Sequence, residues 1–374
     1  MTRLRLIVLL CRPAVLVLLA MFTATGLAQA GQGRSEALLA RALIVVFGFL
    51  LFSVACNDIA DEAIDRVNLP GQRPLAVNAL GRTEFAVIGV VSGVTALAAS
   101  ATLRWPAIIV TAAGLAISAG YSLRPVRLAD RGAVAAMVLP ACYVGVPFLI
   151  GIFAARGFVR PDDLLLLAGL YLGFIGRILL KDFRDVRGDA LFGKRTFLVR
   201  HGRRWTCAFS AGCWTAGIVM LLAAVHRPTL ALAIGYVGCL AGALWLLRKL
   251  AAAPGGRRDE CLISAIAIIG RGVIMLLFAH LSMIQAGWAG PRYVLVIGAL
   301  AVLTAGMATT MARHGPITRS TAADLQVPDP PGAGCGHRDG CAASAPDHGE
   351  AGQAEQHGAG ADAQGRRVAP EVRC

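Results

Sequence analysis

The chain has 374 residues, of which 56% are hydrophobic and 16% are charged, and its formal net charge is +14. Its mean hydropathy is +0.65, and its apolar stretches are about 20 residues long, which is the length of a helix that crosses a bilayer. A soluble protein of this size does not need so much apolar sequence, and strand-type alternation is absent. The composition therefore predicts an all-α, polytopic membrane protein.

Ten apolar segments follow one another along the chain. The first lies within residues 1–30, and the others span 36–56, 84–103, 106–123, 133–154, 163–180, 204–225, 228–249, 261–286 and 291–312. The first segment ends in Ala28-Gln29-Ala30, which imitates a signal-peptide cleavage site. Because Arg12-Pro13 interrupts it and a long apolar part follows, we interpret it as a retained transmembrane helix, with a cleaved signal peptide as the alternative.

The composition changes near residue 313, where long apolar runs stop and Gly, Ala, Asp, Pro, His and Gln dominate. We predict a transmembrane domain over residues 1–312 and a disordered polar tail over residues 313–374. The tail contains Cys335 and Cys341 with His337 and His348, but their spacing matches no standard zinc pattern. We therefore assign the tail no chemistry.

The basic residues are concentrated in alternate loops. If the N-terminus is cytoplasmic, the loops after the even-numbered segments hold most of the Arg and Lys residues. This predicts a multi-pass protein of the plasma or inner membrane with both termini in the cytoplasm. Because the cations lie in short loops between apolar segments, they indicate membrane orientation and exclude a nucleic-acid-binding domain.

Two acidic motifs, each with aspartates at positions i, i+3 and i+7, follow apolar segments on the predicted cytoplasmic side. The aspartates are Asp58, Asp61 and Asp65 after the second segment, and Asp182, Asp185 and Asp189 after the sixth. On an α-helix this spacing puts all three carboxylates of a motif on one face. Two such motifs on the same side of the membrane indicate one shared site.

Carboxylates that converge in one cavity stay ionised when cations lie among them. Hard oxygen ligands favour Mg²⁺, which commonly binds a few carboxylates together with substrate phosphates. Asn57 adds an amide beside Asp58. The motifs therefore predict a magnesium site for a phosphorylated substrate, with Asn57 and the six aspartates as metal ligands.

Basic residues adjoin the acidic ones. Arg73 follows the first motif, Lys181 precedes the second, and Arg124 and Arg127 lie in a loop after Tyr121. Such cations can bind phosphate oxygens and stabilise the charge on a departing diphosphate. We predict that they bind a diphosphate together with Asn57, with the choice between Arg124 and Arg127 left open.

These motifs resemble those of the UbiA superfamily of intramembrane prenyltransferases. The first is Asn57-Asp58-x-x-Asp61-x-x-x-Asp65, followed by Arg73-Pro74-Leu75. The second is Asp182-x-x-Asp185-x-x-x-Asp189, followed by Gly193-Lys194-Arg195-Thr196. Tyr121-Ser122 with Arg127 resembles the loop that the family has between them. The resemblance covers roughly residues 10–312.

The resemblance implies about nine transmembrane helices in a ring around a central cavity, so the tenth segment exceeds the family pattern. It also implies Mg²⁺-dependent transfer from a prenyl diphosphate, through an allylic carbocation, to a lipophilic acceptor such as an aromatic quinone precursor. By position, the two aspartate motifs would hold two Mg²⁺ ions, with Asn57 assisting the first. Arg73, Arg127 and Lys181 would bind the diphosphate, and Tyr121 would lie near the reacting allyl group.

Two other functions fit the motifs. A membrane terpene cyclase of the same superfamily would ionise the same diphosphate without an acceptor. A cation or metabolite transporter would use the carboxylates as ion ligands. The motifs lie at the predicted mouth of the membrane region, whereas transporter sites usually lie near the midplane, which favours an enzyme.

Overall fold

The computed structural model describes residues 10–68, 73–75, 78–183, 196–225, 228–252 and 255–315. In these residues the regular structure is entirely helical, which confirms the all-α prediction. The helices are α1 (Pro13–Gln29), α2 (Glu36–Asn68), α3 (Arg82–Ser100), α4 (Trp105–Ser122), α5 (Ala133–Pro140), α6 (Val146–Ala155), α7 (Pro161–Ile178), α8 (Phe197–Ala224), α9 (Leu230–Ala252), α10 (Gly256–Gln285) and α11 (Pro291–His314).

Each of the ten predicted apolar segments corresponds to helical structure. Across the described ranges, 9 helical segments are long and apolar enough to cross a membrane. The helix α1 is also apolar but has 17 residues. The short helices α5 and α6 form one span, because a π-helical turn over Ala141–Gly145 joins them. The predicted division of the chain into membrane helices is therefore confirmed. The predicted tail, residues 313–374, starts at the end of α11, which runs to His314, and it lies outside the described residues from 316 onward.

Most helices pack against their neighbours in the chain. One series of contacts joins α2 to α3, α3 to α4 and α4 to α6, and a second series joins α7 to α8, α8 to α9 and α9 to α10. The helix α1 contacts α2 and α6 in the first series and α10 in the second, so it links the two series. The helix α11 packs beside α9 and α10. The tenth apolar segment, α11, therefore packs against the two helices that precede it in the chain.

Two glycines allow α1 and α6 to pack backbone against backbone. A Cβ atom at Gly151 would lie 2.1 Å from the carbonyl oxygen of Thr23, and one at Gly26 would lie 2.1 Å from that of Phe148. A carbonyl oxygen cannot rotate away as a side chain can, so no larger residue fits at either position. Small residues commonly permit such close crossings between membrane helices. This crossing fixes α1 within the core.

The helix α2 continues well beyond its apolar part. The apolar segment ends near Cys56, but the helix runs to Asn68. The first acidic motif therefore lies on the last turns of a continuous helix. Because the helix holds the backbone rigid, it fixes the three carboxylates relative to one another.

Candidate active site

The first acidic motif is largely buried at the end of α2. Asp58 is 2% exposed and Asp65 is 8% exposed, while Asp61 is partly buried. Buried carboxylates are stable when cations or hydrogen-bond donors accompany them. Each of the three has an arginine partner in the structure.

The partner of Asp58 is Arg12, with which it forms a hydrogen-bonded ion pair. Arg12 has a φ angle of 41° immediately before Pro13, so the chain turns sharply there and α1 begins. Burial and the charge of Arg73 lower the pKa of Arg12, and the Asp58 carboxylate opposes that shift. Arg12 was not among the predicted site residues. The available signal was an arginine within an apolar run, which is energetically unfavourable unless the charge is paired or used.

The partner of Asp61 is Arg127, whose Nη2 donates to Asp61 Oδ1 at 2.8 Å. The Nη1 of Arg127 also donates to the carbonyl oxygen of Ala60 at 3.1 Å, and its Nε pairs with Asp130 at 2.6 Å. Arg124 is exposed and makes no ion pair with the acidic residues in the described part of the chain. The structure thus brings Arg127, and not Arg124, to the first motif.

The partner of Asp65 is Arg73, whose Nε lies 3.4 Å from Asp65 Oδ2. An Nη of the same guanidinium lies 4.0 Å from Asp58 Oδ1. Asn57 donates from its side-chain amide to Asp61 Oδ2 at 2.8 Å. Three arginines therefore balance the charge of the three carboxylates in this structure.

The described residues include Asp182, the first aspartate of the second motif. A 3₁₀ turn over Leu179–Lys181 extends α7 and ends at Asp182, which is buried. The predicted site residues Asp185 and Asp189 lie outside the described residues. The Tyr121 side chain is close enough to Asp61, Lys181 and Asp182 to experience their charges. The structure therefore brings Tyr121 near both the first motif and the start of the second.

An ion pair between α8 and α10 lies beside Phe183, the residue that follows Asp182. Arg203 binds both carboxylate oxygens of Asp259, at 2.8 and 2.6 Å. The guanidinium of Arg203 also lies 5.1 Å from the ring centroid of Phe183, as in a cation–π contact. Gly202, with a φ angle of 76°, interrupts the helical conformation of α8 immediately before Arg203. Sequence analysis did not identify this contact, because its members are distant in the chain.

The donor atoms at this site fit a hard divalent cation. In the parts of the chain that the structure describes, no three His, Cys, Asp or Glu residues form a preassembled metal cluster. The available atoms are carboxylate oxygens and the Asn57 amide, which suit Mg²⁺. Among the described residues, the buried Oδ2 of Asp65 accepts no hydrogen bond, although Arg73 Nε lies 3.4 Å away, so this oxygen can bind a cation. The chemistry of these donors is thus compatible with Mg²⁺.

A cavity lies directly beneath the first motif, and we call it the polar cavity. It lies between α1, α2, α4 and the segment around the π-helical turn, with a volume of about 460 Å³ including the space at its mouth. Its lining combines apolar side chains with hydrogen-bonding ones, which include Arg12, Ser53, Asn57, Ser118, Tyr121 and Tyr143. The site can therefore place a lipophilic molecule next to charged groups.

The chain is similar in sequence to two synthases. It is 35% identical over 162 residues to digeranylgeranylglyceryl phosphate synthase of Methanoculleus marisnigri, covering 42% of this chain and 54% of that protein. It is 28% identical over 193 residues to the chloroplastic chlorophyll synthase of Oryza sativa, covering 49% of this chain and 51% of that protein. The chain thus matches about half the length of these relatives.

Solved structures share the fold. A digeranylgeranylglyceryl phosphate synthase superposes with a TM-score of 0.60 at 18% identity, covering 75% of this chain and 99% of that one. A UbiA homolog from Archaeoglobus fulgidus, bound to DMAPP and Mg²⁺, superposes with a TM-score of 0.51 at 13% identity, covering 82% and 99%. A sequence model of the UbiA prenyltransferase family matches residues 18–269, which is more than half of the chain. The chain therefore belongs to the UbiA prenyltransferase family, and the predicted resemblance is confirmed.

Proposed function

We propose that this protein transfers a prenyl group from a prenyl diphosphate to a lipophilic acceptor, in an Mg²⁺-dependent reaction at the membrane. The observation that carries the proposal is the group of paired carboxylates and arginines beside the polar cavity, which Arg12, Asn57 and Tyr121 line. Tyr121 lies near both acidic motifs. The names of the relatives, a chlorophyll synthase and a digeranylgeranylglyceryl phosphate synthase, support the proposal. We propose that the acceptor is an aromatic compound that resembles a quinone precursor.

The metal ligands in this proposal come from both motifs. Asn57 and the carboxylates of Asp58, Asp61 and Asp65 would hold one Mg²⁺ ion. Asp182 would hold the second, together with Asp185 and Asp189, which lie outside the described residues. When bound, Mg²⁺ would neutralise diphosphate charge and so make the diphosphate a better leaving group.

The arginines would bind the diphosphate by exchanging partners. Arg12, Arg73 and Arg127 each pair with a carboxylate of the first motif. When cations occupy the carboxylates, the guanidinium groups can turn to phosphate oxygens, which they bind with the same fork-like geometry. Lys181 would supply a further positive charge from the second motif. This exchange keeps the number of unpaired charges in the site low throughout binding.

The chemical step breaks the bond between the allylic carbon and the diphosphate oxygen, and the electron pair leaves with the diphosphate. The allylic cation that remains forms a bond with the electron-rich atom of the acceptor, which then loses a proton. Tyr121 lies beside the charged groups and lines the polar cavity, so its ring can face the allyl group. The apolar walls would keep water from capturing the cation.

The reaction would take place on the cytoplasmic side of the plasma or inner membrane. The positive-inside distribution of the loops supports this orientation. It would also put the polar tail, residues 313–374, in the cytoplasm.

The decisive experiment reconstitutes the purified protein in vesicles with Mg²⁺, labelled prenyl diphosphates and a panel of lipophilic acceptors, and identifies products by mass. We expect a prenylated acceptor from the wild type and no product from Asp58→Asn or Asp182→Asn. Glu62→Gln is the matched control, because Glu62 lies on the same helix and pairs with Arg66 at 2.9 Å outside the site. It should retain activity.

The same experiment separates the alternatives. A cyclised hydrocarbon formed from the diphosphate alone would identify a terpene cyclase and overturn the transferase proposal. Ion uptake into the vesicles without any chemical product would identify a transporter. Full activity in Asp58→Asn or Asp182→Asn would refute the assignment of the two motifs.

A further inference from the structure

The ends of three helices meet near the start of the second acidic motif. Arg203, in the first turns of α8, donates to the carbonyl oxygen of Leu250 near the end of α9. Arg258, in the first turn of α10, donates to the carbonyl oxygen of Lys249 at 3.4 Å. Arg203 also lies against the ring of Phe183. These contacts hold the start of α8, the end of α9 and the start of α10 together.

Five exposed cations surround this junction, and we call them the basic surface. Among the described residues, none of the five forms an ion pair with a carboxylate, and the nearby Asp259 is already bound by Arg203. By contrast, the exposed Arg66 and Arg82 both pair with Glu62, at 2.9 and 3.7 Å. The positive charge of the basic surface is therefore available to an anion from outside the described chain. Its members are Arg204, Arg248, Lys249, Arg257 and Arg258.

The outer face of α9 leads from an apolar stripe to the basic surface. Val237 and Trp245 are 57% and 54% exposed, and the exposed residues between them include Gly238 and Ala241, whose side chains are small. Helical periodicity puts this stripe and Arg248 on one face. At 1.5 Å per residue, Val237 lies about 16 Å along the helix from Arg248, close to half of the roughly 30 Å hydrocarbon core. The stripe thus has the length of one lipid leaflet.

Aromatic rings mark the boundary between the apolar stripe and the charges. The Nζ of Lys249 lies 3.7 Å from the ring centroid of Trp245, which is a cation–π contact. On α8, Trp205 is 72% exposed and follows Arg204 directly. Tryptophan is enriched at the level of the lipid headgroups. The Lys249 ammonium is therefore held at the depth of a headgroup and does not extend freely into water.

The two features together define the chemistry of a ligand. The cations of the basic surface favour a negative group, and guanidinium binds phosphate oxygens with a fork-like geometry. The stripe on α9 favours a long hydrocarbon chain. A soluble anion would use the first feature alone, and a neutral lipid would use the second alone. Basic groups between the ends of membrane helices commonly bind anionic lipid headgroups, which carry both parts.

We propose that the basic surface and the outer face of α9 bind an anionic phospholipid. Its phosphate lies at Arg248 and Lys249, and an acyl chain follows α9 as far as Val237. Arg204 and Arg258 add positive potential from the two neighbouring helices. This site does not include the polar cavity or the acidic motifs, so the inference does not depend on the proposed prenyl transfer.

The test reconstitutes the full-length protein in phosphatidylcholine vesicles with Trp245 as the reporter. Trp105→Phe, Trp205→Phe and Trp288→Phe leave Trp245 and Trp214, and Trp214 is 3% exposed. Phosphatidylglycerol with brominated acyl chains is added at increasing mole fraction, and brominated phosphatidylcholine in a parallel series. Quenching of tryptophan fluorescence then gives the relative affinity for the two lipids. We expect a preference of about tenfold or more for phosphatidylglycerol, because each cation near the surface contributes about fivefold.

Charge removal in the same background tests the assignment. Arg248→Gln with Lys249→Gln should lower the preference by about tenfold or more. Arg34→Gln with Arg41→Gln is the matched control, because these two exposed arginines lie near the start of α2, at the opposite end of that helix from the first motif. The control should keep the preference. If the first double variant does not reconstitute, Arg248→Gln alone should lower the preference by about fivefold, and its result decides.

Two results would overturn the proposal. One is equal quenching by the two lipids when the basic surface is intact, or a preference that persists after both charges are removed. The other is displacement of phosphatidylglycerol by inorganic phosphate at constant ionic strength, which would show that the surface binds free anions and not a lipid. We expect inorganic phosphate to leave the quenching unchanged.

Discussion

Arg12 and Asp58 form an ion pair that joins the start of α1 to the end of α2, although they are 46 residues apart in the chain. The Arg12 side chain is 14% exposed and that of Asp58 is 2% exposed. Removing one partner of a buried ion pair leaves the other charge uncompensated, which destabilises a protein by roughly 3–5 kcal/mol. The ion pair therefore contributes to the stability of the fold and also balances the charge of a residue in the candidate active site.

The first prediction concerns this pair. Arg12→Ala should lower the thermal unfolding midpoint of the detergent-solubilised protein, because Asp58 then remains buried with only the more distant Arg73 guanidinium, 4.0 Å away, to balance its charge. Adding Asp58→Asn should restore much of the lost stability, because the uncompensated charge is gone. The double variant should still be inactive, since it lacks a proposed metal ligand. Equal and additive losses from the two changes would show that the residues do not interact.

The second prediction concerns the two arginines of the loop after Tyr121. Arg127→Ala should reduce kcat/KM for the prenyl diphosphate by about 10- to 100-fold, because a hydrogen bond to a charged group contributes about 1.5–3 kcal/mol. Arg124→Ala should change it by less than about twofold, since Arg124 is exposed. Steady-state kinetics with both variants would check this. A larger loss in Arg124→Ala would reverse the assignment.

The third prediction concerns the support of Asp182. Arg203→Lys keeps the positive charge but cannot bind both oxygens of Asp259 as the guanidinium does. We expect Phe183 to be held less firmly in this variant and the concentration of Mg²⁺ for half-maximal activity to rise. Arg258→Lys is a control, because Arg258 is exposed on the same end of α10. An unchanged Mg²⁺ dependence in Arg203→Lys would limit the role of Arg203 to stability.

The fourth prediction concerns the crossing of α1 and α6. Gly151→Ala should destabilise the protein by about 1–3 kcal/mol or more, because the new methyl group overlaps the Thr23 carbonyl oxygen. Gly212→Ala should be neutral or slightly stabilising, since no atom of the described residues outside its own helix lies within 4 Å of its Cβ position and alanine favours the helix. Thermal unfolding of both variants in the same detergent would test this. A stable Gly151→Ala protein would mean that α1 can shift away from α6.

Sequence analysis anticipated the features that depend on periodicity. Apolar length located the membrane helices, and the spacing of Asp58, Asp61 and Asp65 put them on one face of α2, as a rigid helix requires. The stacking of Tyr143 on Phe174, with ring centroids 5.4 Å apart, could not be predicted, because these residues meet through the packing of separate helical segments. No local pattern encodes such a meeting.

The arginine partners were harder to predict for a related reason. Arg124 and Arg127 are equivalent in the sequence, and they differ because Arg127 adopts a positive φ angle of 34° at a turn. Arg12 likewise reaches Asp58 because the chain breaks with a positive φ angle before α1. These local backbone conformations arise in non-glycine residues, where composition gives little warning of them. Side-chain pairing across helices depends on such details.

The pairing of each carboxylate in the first motif with an arginine also bears on how the protein is made. A cluster of unpaired carboxylates would require bound cations before the surrounding helices could pack. Here the arginines supply that compensation from within the chain, so membrane insertion and folding of this end of α2 need not wait for magnesium. Assembly and cofactor loading can then occur at different times, and the protein should tolerate purification in the presence of a chelator.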